Sequence, residues 1–132
     1  YRTERGGPVI RVVDFESSFE PHRHGPSAHY DPPTTPGYSA PEIPAERPDA
    51  RADIFSLGAV LYTLMAGYGW TWRDDITRSV ARDTELDDPL RAILLSAVDH
   101  DRTKRYESMA EFGAALTTYL EVIWPGRAWQ EA

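Results

Sequence analysis

The chain has 132 residues and a formal net charge of −7, from 14 Lys and Arg against 21 Asp and Glu, which argues against nucleic acid or an anionic membrane as its main partner. It has no cysteine, so it forms no disulfide frame and carries no thiolate chemistry, which is compatible with a cytoplasmic setting. No apolar run reaches the roughly 18–20 residues of a membrane span, while a 41% hydrophobic fraction is enough for the core of one domain or large subdomain. Tyr1 is not an initiator methionine and no signal-peptide pattern follows it, so the chain reads as a piece of a longer protein.

Proline divides the chain. Nine of the eleven prolines lie at or before Pro48, and each removes a backbone donor and biases its predecessor to extended backbone, so no long helix is expected there. Within this part, the β-branched run Val9 to Val13 follows Gly6-Gly7-Pro8 and predicts a short strand entered from a turn. From Phe15 to Pro36 the composition predicts a long polar loop.

After Pro48 the pattern is helical. Asp49 is placed to cap a helix running through Ala66 and stopping at Gly67. Ile54, Phe55, Leu57, Ala59, Val60, Leu61, Leu64 and Met65 leave it almost no polar face, which predicts the buried axis of a helical bundle, with Leu57 and Leu61 in the core. A weaker helix is expected from Asp75 to Arg82. Asp88 is placed to cap the next helix, with Pro89 at its first position and Leu90, Ile93, Leu94, Ala97 and Val98 on its core face. Ser108 and Glu111 have capping-box spacing and open a last helix with the stripe Met109, Phe112, Leu116, Tyr119, Leu120 and Ile123. The expected class is mainly α: residues 1–48 form a strand, loop and docking segment, and residues 49–132 a helical subdomain.

Four segments fall in a distinctive order. They are Asp14-Phe15-Glu16 after the strand, Thr35-Pro36-Gly37-Tyr38-Ser39-Ala40-Pro41-Glu42, Asp53 at the head of the apolar helix, and Asp99 to Tyr106 before the last helix. Together they resemble the C-terminal lobe of eukaryotic-type Ser/Thr protein kinases, which also occur in bacteria. The resemblance implies that Asp14 holds magnesium bridging the ATP phosphates. It implies that residues 16–34 form an activation loop, with Ser17, Ser18, Ser27, Thr34 and Thr35 as candidate phosphosites. Thr35, Gly37, Tyr38 and Pro41 would position a protein substrate. Glu42 would pair with a buried Arg105, and Asp53 would accept backbone N–H bonds from the catalytic loop. Taken as bare sequence, Asp14 is a strand-end turn carboxylate, Asp53 a first-turn residue favoured by the helix dipole, and the hydroxyls ordinary solvated loop groups.

The glycine-rich loop, the strand lysine with its helix glutamate, and a His-Arg-Asp catalytic loop are missing from the sequence, and the only lysine is Lys104. The N-terminal kinase lobe and the catalytic loop are therefore the expected partners, and ATP and Mg²⁺ belong to the intact protein. Two residues depart from the family pattern. Glu16 replaces a glycine and sets a carboxylate near the phosphate site, which opens a pseudokinase or helical scaffold as an alternative. Arg102 replaces a proline, a harmless change because Arg105 keeps its place. His22, His24 and His29 raise a zinc reading against that of a plain loop, and Trp70 and Trp72 raise a docking surface against core cover.

Overall fold

The computed structural model describes residues 10–15, 18, 34–43, 45–67 and 74–126. The expectations at Val9, Glu16, Ser17, Ser27, the three loop histidines, Trp70 and Trp72 lie outside them. Among the described residues four α-helices follow in order: α1 (Ala50–Ala66), α2 (Ile76–Arg82), α3 (Asp88–Ala97) and α4 (Met109–Ile123), with a short 3-10 turn at Arg102–Lys104 between the last two.

Local side-chain bonds set the helix starts. Asp49 accepts the Arg51 N–H at 2.8 Å, Asp75 accepts that of Arg78 at 2.9 Å, and Ser108 accepts that of Glu111 at 3.1 Å, each satisfying a donor that the first turn leaves open. The return bond of the capping box falls one residue early, from the Glu107 N–H to Glu111 Oε2 at 3.1 Å. α3 is capped by Asp87 rather than Asp88: the Asp87 carboxylate takes the Leu90 N–H at 2.9 Å, and Asp88 becomes the first helical residue. α1 ends at Gly67, whose φ of 65° is open to glycine at no steric cost.

α3 is the hub, packing on α1, α2 and α4. Leu94, Ala97 and Val98 are fully buried there. Where α1 crosses α3, Gly58 has no room for a side chain, since a Cβ would stand 2.8 Å from that of Ala97.

The expectation that α1 is buried all round is overturned. Ala52, Ile54, Phe55, Gly58, Ala59 and Tyr62 are buried, but the opposite face shows Leu57 38% exposed, Val60 40% and Leu64 74%. These residues stand at spacings of three and four, so they form one apolar stripe open to solvent. Composition is symmetric around this helix; packing is not. Leu57→Ala is accordingly expected to cost less than about 1 kcal/mol, against about 2–5 kcal/mol for Leu94→Ala. Denaturant midpoints of the two variants check this ordering.

The expected strand is also corrected. Residues 10–15 form no strand, and Ile10, Val12 and Val13 are 93%, 77% and 73% exposed. A β-strand is held by a neighbour's ladder of hydrogen bonds; the described residues offer none, so propensity alone does not produce one.

Candidate functional site

The Thr35-to-Glu42 segment is built on a tight turn. Pro36 presets its first central angle and Gly37, at φ 84°, supplies the second, so the Tyr38 N–H reaches the Thr35 carbonyl at 3.0 Å. The Ser39 N–H donates to the same carbonyl at 3.0 Å, and the Thr35 N–H donates back to Ser39 Oγ at 2.7 Å. Thr35 lies at the exposed rim. Tyr38 is half-buried and anchored to α1, its hydroxyl 3.2 Å from Thr63 Oγ1. Thr63 gave no signal in the sequence, because a partner 25 residues away is set by packing rather than by spacing.

The far end of this segment is locked into the helical subdomain. Ala40 is buried and Ile43 packs on the main core. Arg105 donates through Nη1 to Glu42 Oε1 and through Nη2 to Glu42 Oε2, both at 2.8 Å, a two-pronged pair across 63 residues of sequence. Arg105 also donates to the carbonyls of Asp99 at 2.7 Å, Arg51 at 3.0 Å and His100 at 3.5 Å, and its guanidinium lies 4.9 Å from the centre of the Phe55 ring. A buried cation is tolerable when its donors are filled in this way. Burial pushes the Glu42 carboxyl up, but the Arg105 bonds, a backbone bond and the charges of Arg105 and Arg102 outweigh it and hold the group below its ordinary value.

Asp53 stands at the head of the exposed α1 stripe, one helical turn before Leu57, and its carboxylate receives no hydrogen bond from the described residues. Partial burial pushes this carboxyl up, and the negative charge of Asp49 adds to the shift. Asp14 lies apart, exposed at the end of residues 10–15, with φ 67°. That left-handed geometry is one that aspartate tolerates better than most residues. The Ser18 N–H then donates to the Phe15 carbonyl at 3.0 Å, turning the chain just past it. Magnesium takes one or two carboxylates and completes its shell with water and phosphate. Asp14 offers one carboxylate, and no group of three or more His, Asp or Glu among the described residues could hold a metal ion. The structure therefore joins Glu42 to Arg105 and sets Thr35, Gly37 and Tyr38 in one turn, while neither Asp14 nor Asp53 shares a hydrogen bond or ion pair with them.

Part of the chain is similar to curated protein kinases. Over 69 residues, 52% of the chain, it is 33% identical to "MAP kinase-activated protein kinase 2" of Cricetulus longicaudatus and of Homo sapiens, covering 20% and 17% of those proteins. Over 70 residues it is 41% identical to human "Ribosomal protein S6 kinase alpha-2", covering 9% of it. The matched stretch thus spans a fifth or less of each relative. No protein-family profile matches the chain, and no solved structure does. No helix among the described residues is long and apolar enough to cross a membrane. The chain is a mainly helical unit with a segment related to Ser/Thr protein kinases.

Proposed function

We propose that the chain is the C-terminal lobe of a Ser/Thr protein kinase whose intact form moves the γ-phosphoryl of MgATP to protein Ser or Thr. The observation that carries this reading is the Arg105–Glu42 pair, which ties the end of the Thr35-to-Glu42 docking turn to the segment before the last helix. Asp14 would contribute the carboxylate for magnesium, while Thr35, Gly37 and Tyr38 would seat the substrate. The exposed stripe of α1 is where the upstream half would lie. Leu57, Val60 and Leu64 offer it an apolar seat, and the Asp53 carboxylate is open to backbone N–H groups of a catalytic loop.

The chain by itself, with Lys104 as its only lysine and no His-Arg-Asp string, is expected to transfer no phosphate. In a longer protein carrying a catalytic loop, Asp14→Asn should abolish labelling of a protein substrate by radioactive ATP, because a neutral amide cannot balance the metal's charge. Glu16→Gly should leave labelling equal or higher, since it removes a carboxylate from the phosphate site. Abolition by Glu16→Gly, with Asp14→Asn tolerated, would move the metal role to Glu16. Glu16 also favours a second reading, a pseudokinase or helical scaffold that keeps the fold without the transfer. That reading holds if the longer protein lacks a catalytic-loop Asp and Asn and binds partners without labelling them.

A further inference from the structure

Arg102 opens the 3-10 turn Arg102–Lys104, which Asp101 caps by accepting the Thr103 N–H at 3.0 Å and the Thr103 hydroxyl at 2.7 Å. At the first position of such a turn the backbone N–H has no partner within the turn, so a proline fits there without loss. What arginine adds is its side chain. Arg102 Nη2 lies 3.1 Å from Glu46 Oε2, and Nη1 donates to the Arg47 carbonyl at 3.3 Å and lies 4.0 Å from Asp49 Oδ2. The other oxygen of Asp49, Oδ1, is the α1 cap. One planar guanidinium therefore spans two carboxylates and a carbonyl, a reach that a point-charge ammonium does not reproduce.

Two arginines three residues apart thus grip one stretch of chain: Arg105 holds Glu42 inside, and Arg102 holds Glu46 to Asp49 at the surface. The Glu46 N–H donates to the Glu42 carbonyl at 2.9 Å, so the two grips are joined by a single backbone turn. We infer that Arg102 is a positioning residue, a second and salt-sensitive clamp that holds the exit of the docking segment against the 3-10 turn. The inference rests on the reading of residues 35–42 as a substrate-docking segment, but its test needs no phosphoryl transfer.

The test is amide hydrogen exchange, followed by NMR on the full 132-residue chain. Arg102→Gln and Arg102→Pro should each speed exchange at Glu46 about two- to fivefold, the scale of an exposed ion pair. The amides of Val98 and Phe112, which bond to Leu94 and Ser108 in α3 and α4, should keep their rates. At about 1 M salt the native chain should approach the variants, and Arg102→Lys, which keeps the charge without the planar fork, should fall between the native chain and Arg102→Gln. Unchanged Glu46 exchange in both variants overturns the clamp; so does an equal acceleration at Val98 and Phe112, or a native rate that does not rise with salt. An inactive parent kinase would sink the docking reading and leave these rates unmoved, so the two ideas fail separately.

Discussion

Glu42→Ala is expected to destabilise the chain by about 3–5 kcal/mol, because it strands a buried guanidinium. Arg105 is 3% exposed. Its bonds to the carbonyls of Asp99, Arg51 and His100 would remain, but no carboxylate would be hydrogen-bonded to it. Replacing both residues with apolar ones of similar volume should cost less than either single change, since the desolvation penalty then disappears with the charges. The pair also makes an acid-stability prediction. Against burial, Arg105 holds the Glu42 carboxyl below its ordinary 4.5, so the stabilisation is complete above that value and is lost as pH falls through the lower folded value. Denaturant midpoints measured from neutral pH downward should fall in that acid window for the native chain and less steeply for Glu42→Gln. A Glu42→Ala loss below about 1 kcal/mol, with an unchanged acid slope, would show that the pair fixes little.

Phe112→Ala should cost about 3–5 kcal/mol for a different reason, the removal of a large ring from a closed space. Phe112 is fully buried and joins Ile54 of α1 and Ala97 of α3 in the smaller of the two core clusters. Its ring stacks on Tyr106 with centroids 5.3 Å apart. Desolvation raises the Tyr106 phenol above its ordinary pKa, so opening a cavity beside it should bring that pKa back down. Calorimetry reads the first effect and the pH titration of the assigned Tyr106 ring signals by NMR the second. A variant that keeps both the melting temperature and the Tyr106 titration of the native chain would place Phe112 outside the core.

Several helix ends that depend on neighbours within one helical turn were legible in the residues themselves. Asp49 and Ser108 cap helices because a short polar side chain reaches an amide two or three residues ahead, and Gly67 ends α1 because its backbone tolerates a positive φ. The sequence points to Asp88 as the cap of α3, but Asp87, with the same chemistry, takes the Leu90 N–H from an extended backbone, and Asp75 caps α2 where the sequence marks only a helix start. Tertiary structure decided the rest. An apolar pattern all round α1 does not say which side meets α3, and packing left Leu57, Val60 and Leu64 outside. Val12 and Val13 favour a strand, but that preference is realised only against a second strand. Arg102 and Arg105 share one short segment and one charge. Their difference arises because the fold buries one against Glu42 and leaves the other at the rim beside Glu46, and burial is a property of the whole chain.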